Sequence, residues 1–448
     1  QWKQLTGFED ADLAKLRSQA CHDAARWISE LRNHHEEETA KEYLELATKA
    51  FAEVTDNLGA SSCFARLAEF ADLKHASLRE RMRTAEFRQS DTLLRKKRDE
   101  LEACEAVLQH GKKEKGREDL RRHIAALRKQ ILVEHQELVN FKGQLEKWLL
   151  VSVAQYSKAL KAGSANIKVA YRLIALWLAH WEEPHVNEKF DEEIRDEFPW
   201  GKLLPLSYQL TSWISVRDKS AFQRTLKSIV RVLCRRHPHH CLWHIWALAN
   251  GKRIPKRQRG ASRYVADDDK VDAAEKLWNE LRIEHGPLLE QMERLGEGYI
   301  ELAKADFSSN SGRSDLRMER SLLGRIGELF LVPPLTLALP PQGFQDDSDA
   351  RHVMGFRDSI ELVGGINVPK AIYCECSDGV ARKQLVKGAD DLRQDAVMEN
   401  LFCISNELIA SDSEASIRKL RIRHYRVVPL TPCTGVLQWV ENTIPMSA

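Results

Sequence analysis

The segment Gln384-Leu385-Val386-Lys387-Gly388-Ala389-Asp390-Asp391-Leu392-Arg393-Gln394-Asp395 holds the densest set of residues able to do chemistry. A lysine that ends an apolar strand projects a point charge into a cleft, where it suits a phosphate. Asp395 falls in the first turns of the helix expected next. There a carboxylate complements the helix dipole and can hold the ammonium in place. A nucleotide site needs such a pair, because phosphoryl transfer is mostly positioning plus charge stabilisation. The same residues also make an ordinary surface ion pair, with Asp390 and Asp391 capping the helix. Spacing alone leaves both readings open. Upstream, Gly364-Gly365 lies between two strand-like segments, as a phosphate-covering loop would, but it matches neither GxGxxG nor the Walker pattern. A plain hairpin turn uses the same glycines.

Two other groupings invite a chemical reading. Cys234-x-x-His237-x-His239-His240-Cys241-x-x-His244 collects the thiolates and imidazoles that zinc prefers. Its spacing matches no standard arrangement of ligand pairs, and Pro238 marks a helix break followed by a new start. Packing or capping therefore outweighs a metal site, and none is expected. Lys252-Arg253-Ile254-Pro255-Lys256-Arg257-Gln258-Arg259, with Arg263 beyond it, is a basic loop suited to a nuclear address or to phosphate backbones. Asp267-Asp268-Asp269 partly cancels its field. A solvated loop outweighs nucleic-acid contact, which needs several aligned phosphate contacts.

The elements that position these residues divide along the chain. No proline precedes Pro184, whereas eight of the 14 lie between Pro333 and Pro445. Because proline breaks helix interiors, the first part must be long uninterrupted helices. Ile124, Leu127, Ile131, Leu138, Phe141, Leu145 and Trp148 follow 3/4 spacing, with Glu134 the one polar interruption. That stripe predicts the seam of an antiparallel helical hairpin turning at Gly111–Gly116, in preference to a two-chain coiled coil. Apolar blocks at Tyr171–Trp181, Leu203–Trp213 and Phe222–Cys234 suggest stacked helix pairs without a strict repeat. Near residue 325 short apolar runs take over: Leu329–Val332, Leu335–Leu339, Ser359–Val363, Ala371–Cys376 and Gln384–Val386. Ser377-Asp378-Gly379 is a hairpin turn, a helix spans Leu392 to about Ile409, Ile417–Leu430 reads as two strands, and Gly435–Val440 as another. The fold class is mainly α, an α-solenoid of antiparallel helical hairpins over 1–325. An α+β lobe with an antiparallel sheet and one principal helix follows over 326–448.

Composition sets outer limits. At 448 residues the chain suits two to four domains by a prior of ~150 residues each. Hydrophobic residues at 43% and charged residues at 30% exclude disorder by composition. The 68 Lys+Arg against 66 Asp+Glu exclude a globally basic nucleic-acid coat, so any charge-driven partner uses a local patch. Apolar runs such as Trp148–Ala154 are far short of the ~20 residues of a membrane helix. Nine cysteines without a CxxC pair fit a reducing compartment, cytosol or nucleus, and no signal peptide is expected at Gln1.

Lys387–Asp395 (KGADDLRQD) resembles the KxxDDLRQD motif of phosphatidylinositol 3-kinases and the related giant protein kinases. Within that superfamily the surrounding text is most similar to the ataxia-telangiectasia-mutated branch and its fungal telomere-maintenance counterpart. The likeness is carried by Gly364–Lys370, Ser377-Asp378-Gly379, Gln384–Val397, Tyr425–Leu430 and Gly435–Trp439. Leu204–Leu210 and His237-Pro238-His239-His240 resemble the helical FAT domain of the same family. The likeness is weakest over residues 1–40 and 252–350.

The resemblance implies a Ser/Thr protein kinase of the DNA-damage response and telomere maintenance, nuclear, acting on Ser/Thr before Gln. Residues 1–325 would be FAT-like and 326–448 the kinase N-lobe and hinge. ATP is the implied cofactor, with Mg²⁺. By motif position Lys387 would contact ATP phosphates and pair with Asp395, Tyr425 would floor the pocket and Leu385 would wall it. Trp439 and Val440 would form the hinge, and Gly364, Gly365 and Pro369 the phosphate-covering loop. A homodimer, a DNA-end sensor complex and protein substrates are the implied partners; nothing read here shows direct DNA contact, and no membrane is expected. Gln438 stands where the family's hinge carries an acidic residue. The family's Gly-Asp-Arg-His-x-x-Asn loop and metal-binding Asp-Phe-Gly come after the hinge, so both are expected beyond Ala448 and not among these residues. No catalytic residue and no metal ligand is therefore expected between Gln1 and Ala448, a stretch that by itself should be inactive. A non-catalytic scaffold with a pseudokinase-like lobe is the alternative, disfavoured by retention of both Lys387 and Asp395. The shared motif does not exclude a lipid kinase, against which the long helical array argues.

Overall fold

The structure, a computed structural model, describes residues 57–110, 117–163, 167–195, 197–254, 266–307, 316–340, 351–364 and 367–444. The predicted turn at Gly111–Gly116, residues 255–263 of the basic loop and Gly365 lie outside them. So does Ala448, the residue past which the catalytic and metal-binding loops are expected, and the structure does not bear on that expectation. The chain forms two compact units, one of residues 1–165 and 172–198, the other of 166–171 and 199–448.

The first unit is helical. Helices α1 (Asn57–Arg83), α2 (Ala85–His110) and α3 (Arg117–Lys161) run without a proline, as the sequence requires. The 45 residues of α3 make a rod of about 67 Å at 1.5 Å per residue. Its first half pairs antiparallel with α2, burying Leu94, Ile124 and Leu127. Ion pairs flank that seam: Arg128 with Glu105 at 2.8 Å, His123 with Glu100 at 3.0 Å, and Lys97 with Glu134. The predicted hairpin is therefore present. The second half of α3 packs Leu149, Val153, Tyr156 and Leu160 on α1, and α4 (Ile167–Ala179) and α5 (Pro184–Ile194) follow. Pro184 opens α5, where its missing N–H costs nothing.

The second unit joins helices to a sheet. A 3₁₀ segment (Trp200–Leu206) leads into α6 (Ser207–Ser212), α7 (Ala221–Arg236), α8 (Pro238–Ala249) and α9 (Asp268–Lys304). Pro238 breaks α7 from α8 as predicted, and Pro287 accompanies a kink at His285 inside α9. Strand β1 (Leu316–Arg317) and helix α10 (Arg320–Ile326) precede β2 (Val353–Phe356), β3 (Ser359–Leu362), β4 (Lys370–Cys376) and β5 (Ala381–Gly388). Helices α11 (Arg393–Ala410) and α12 (Ser413–Ile417) and strands β6 (Val427–Thr431) and β7 (Thr434–Gln438) complete the described chain. The antiparallel sheet runs β1-β3-β4-β5-β7-β6, with β2 on the far half of β4. Gly379, at φ +74°, makes the β4–β5 turn.

Three strand expectations are corrected. Leu329–Val332 and Leu335–Leu339 are not strands but turns and irregular backbone; Leu329 makes an isolated bridge to Val353, whose N–H also bonds Val332 O. Pro333, Pro334 and Pro340 lack ladder donors, yet Leu329, Val332 and Leu335 still fill the core. Of Ile417–Leu430 only the end, within β6, is strand. The Asn406 amide bonds both backbone groups of Ile422, at 2.8 Å each, so a side chain replaces the ladder there. β1 and β2 were not expected. Among the described residues no helix is long and apolar enough to cross a membrane.

Candidate nucleotide-binding site

Alternation along β5 puts Lys383, Leu385 and Lys387 on one face of the sheet and Gln384 and Val386 on the other. The second face is anchored on α9. Gln384, fully buried, accepts from the Tyr299 hydroxyl at 2.5 Å and donates to Thr336 Oγ1 at 3.0 Å. Buried Lys370 donates to Ala303 O at 2.9 Å, a cation at the carbonyl end of α9. Burial lowers its pKa. Gly388 lets that helix end come close, since a Cβ there would lie 2.7 Å from Ala303 O.

The first face is the candidate site. Register sets Leu385 opposite Leu437 and Lys387 opposite Gly435, with Ala371 of β4 beside Leu385. Leu392, just before α11, and Ala396 within it pack with Val427 and Leu437, and Leu385 and Tyr425 lie against this cluster. Leu385 and Tyr425, which the resemblance would make wall and floor of a pocket, are thus brought together. Lys387 stands at the polar end, its Nζ 3.3 Å from Asp390 Oδ2. The carboxylate at its side here is Asp390, not the Asp395 that the resemblance implies. Asp395 stands in the first turn of α11, half-buried, and acts on Tyr425. Burial, then the Glu399 and Asp395 carboxylates, raise the pKa of the Tyr425 phenol, keeping it a neutral hydroxyl. Glu399 also accepts the Tyr425 N–H at 2.9 Å.

The start of α11 is built locally. Ala389 takes a left-handed conformation at φ 57°. Asp391 then accepts the Arg393 N–H at 3.1 Å and chelates its guanidinium at 2.8 Å. Asn400 donates to Pro205 O at 3.2 Å, and the Tyr171 hydroxyl reaches Glu407 at 2.5 Å, so helical-region residues steady the same helix. The loop of Gly364 and Pro369 closes on itself through Val363 N–H to Pro369 O at 2.8 Å. Asn367 then ties it to Ala389 O at 3.2 Å, beside the Lys387 end of β5.

At the far end Trp439 N–H bonds Lys383 O at 3.3 Å, extending β7 past Gln438 toward Val440. Gln438, in place of the expected acid, bonds the Arg426 backbone through its own N–H at 2.8 Å and its side-chain oxygen at 3.1 Å. Lys383, which spacing arguments passed over, holds its ammonium 4.2 Å from the Trp439 ring centroid and 2.5 Å from Glu361. Its parity with Lys387 was the available signal.

The histidine cluster packs. Cys234 and Cys241 are both buried, His240 Nε2 meets Pro340 O at 2.8 Å, and the His244 ring centroid lies 3.6 Å from that of Tyr208. Among the described residues no three His, Cys, Asp or Glu side chains are grouped to hold a metal.

Residues 383–447 match the family model described as phosphatidylinositol 3- and 4-kinase. The serine/threonine-protein kinase ATM of Arabidopsis thaliana is 31% identical over 435 residues, covering 94% of this chain and 11% of that protein. A solved structure of the FAT and kinase domain of CtTel1 superposes with a TM-score of 0.74 at 24% identity, covering 99% of this chain and 29% of that one. The complete CtTel1 dimer with C2 symmetry gives 0.74 and 24% over 99% of this chain and 16% of that one. The chain thus spans less than a third of each relative. Over nearly its whole length the chain is a homologue of the ATM and Tel1 kinases, with a phosphatidylinositol 3- and 4-kinase domain match at its C-terminal end and, in fold, the helical region followed by a kinase N-lobe seen in the CtTel1 FAT and kinase domain.

Proposed function

We propose that this chain supplies the nucleotide-holding lobe, and the helices that brace it, of a nuclear Ser/Thr protein kinase. That kinase would move the ATP γ-phosphate to Ser/Thr before Gln, in DNA-damage signalling and telomere maintenance. The observation that carries the reading is one sheet face on which Leu385, Leu437 and Tyr425 meet in one apolar cluster, with Lys387 two residues farther along the same face of β5. The residues fit a nucleotide in kind: apolar side chains for a base, backbone at Trp439–Val440 for its edge, a cation and a glycine-bearing loop for phosphates. Open space at Gly364, where a Cβ would meet nothing within 4 Å, suits a loop that covers a ligand. ATP with Mg²⁺ would supply the transferable phosphoryl group. Lys387 would bind and orient phosphate oxygens, Leu385 and Tyr425 would exclude water from the base, and Asp395 would hold the Lys387–Tyr425 end of the site in register. The metal ligands and the catalytic loop belong to motifs not among these residues, so the chemistry is assigned to the longer protein and this segment alone to binding. The C2 dimer named for CtTel1 supports a homodimer for that longer protein. A DNA-end sensor complex is its proposed recruiter.

The test is peptide phosphorylation by the full-length protein, with Ser-Gln against Ser-Ala substrate, comparing wild type with Lys387→Met. Losing a donor aimed at transferring charge costs about 10²–10³ in rate. Gln-dependent transfer that falls by that factor supports the reading. A wild type as silent as the variant, with Mg-ATP and DNA ends supplied, would move the lobe to a scaffolding role.

A further inference from the structure

A 220 Å³ groove in the first unit lies between α1 and the Arg172–His180 stretch. His75, Arg79 and Arg83 repeat every four residues on one face of α1 and line it together with Arg172 and His180. Glu80 is the single carboxylate in the lining, and alanines form much of the floor.

The cations are unevenly committed. Arg172 is spent on buried Asp72, which it grips through Nε at 2.5 Å and Nη2 at 2.7 Å, while the Tyr156 hydroxyl takes the same carboxylate at 3.2 Å. Arg79 and Arg83 make no ion pair among the described residues. Their guanidinium forks face the groove and suit a tetrahedral or planar oxyanion.

The second observation is independent of charge. The His180 side chain is 7% exposed, and its Nδ1 lies 2.8 Å from Glu183 Oε1. That contact fixes the tautomer with the proton on Nδ1. Nε2 is left buried without a hydrogen-bond partner, with the His75 ring centroid 5.1 Å from its own. Among the described residues seven buried side-chain polar atoms are so placed, and of these His180 Nε2 is the one whose side chain lines this groove. Nε2 as an acceptor needs a group that brings a proton. The arginines need anionic oxygens. A phosphomonoester offers both, because its second pKa near 6 leaves it able to share a proton close to neutrality. Sulfate carries no such proton.

We infer that this groove is a binding site for a phosphomonoester, its oxygens on Arg79 and Arg83 and its shared proton on His180 Nε2. The source is either a phosphorylated side chain or a small phosphate ester.

Calorimetric titration of the full-length protein with inorganic phosphate, sulfate and a phosphoserine-containing alanine peptide tests it. Phosphate is expected to bind at least tenfold more tightly than sulfate. Arg79→Gln with Arg83→Gln should weaken phosphate by about tenfold or more, and both residues are exposed, so the fold should survive. Lys227→Gln, in the separate basic hollow of the second unit near Lys219 and Lys276, should change nothing. Peptide binding as tight as phosphate assigns the groove to a phosphorylated side chain, and phosphate alone assigns it to a small ester. Equal affinity for sulfate, indifference to the double substitution, or no saturable phosphate binding overturns the inference.

Discussion

At Lys387 two carboxylates are near enough in sequence to claim one ammonium, and the claim goes to Asp390 in this structure. Chain geometry explains it. Asp390 lies three residues on, at the turn between β5 and α11, whereas Asp395 is carried by the helix toward Tyr425. A half-exposed pair of this kind is worth little, so Asp390→Asn should change folding free energy by no more than about 1 kcal/mol in urea titration. A loss several times larger would mean that Lys387 is a buried charge that cannot do without its partner. Lys387→Met should likewise leave the melting profile intact while removing activity, which separates a binding role from a structural one. That Leu385 and Lys387 share one strand face and that Tyr425 comes up against Leu385 was legible, because the resemblance ties these identities to β5 and to the approach to β6. Asp390 as the partner was not, since residue spacing does not state a rotamer. Lys383 was legible in principle: period two places it on the face of Lys387, and only the absence of a motif hid it.

Among the elements, α9 decides where the sheet sits. Its carbonyl end takes the Lys370 ammonium, its Tyr299 hydroxyl bonds Gln384, and its last turn runs against Gly388. Gly388→Ala would put a Cβ 2.7 Å from Ala303 O and 3.3 Å from its carbonyl carbon. Backbone cannot rotate away as a side chain can, so α9 or β5 must shift, at a cost of roughly 1–3 kcal/mol. Because Lys387 is the next residue, thermal unfolding and nucleotide affinity should fall together. Unchanged values for both would show that the helix end has slack. The helical elements were the easiest to read. A proline-free run with 3/4 spacing has few other solutions, and the α2–α3 hairpin is where the stripe put it. Strands were harder. Apolar runs at Leu329–Val332 and Leu335–Leu339 look like strands because burial, not pairing, sets their composition, and prolines leave them without ladder donors. β2, with Gly355 and an exposed Met354, carries too little apolar alternation to announce itself.

For the whole molecule, 68 basic against 66 acidic residues leave little net field to govern stability near neutrality, so the pH response falls to individual buried groups. Histidines dominate it in both units. Burial, with Arg426 and His240 adding to it, lowers the His244 pKa to about 3, and burial first lowers His240 and His75 to about 4. These rings are neutral in the folded protein, while the unfolded chain takes up a proton on each near pH 6.5. Between pH 6.5 and the folded values the unfolded state therefore binds more protons, and stability falls as pH falls. For His244 alone the loss reaches roughly 2–3 kcal/mol by pH 4.5, at ~1.4 kcal/mol per pH unit. Urea midpoints should be flat from pH 8 to 7 and then drop steeply toward pH 4.5. His244→Phe, which keeps a ring against Tyr208, should flatten the acid limb of the second unit and leave the neutral plateau in place. An unaltered slope in that variant would shift the acid response to the carboxylates, whose protonation belongs to a lower pH window.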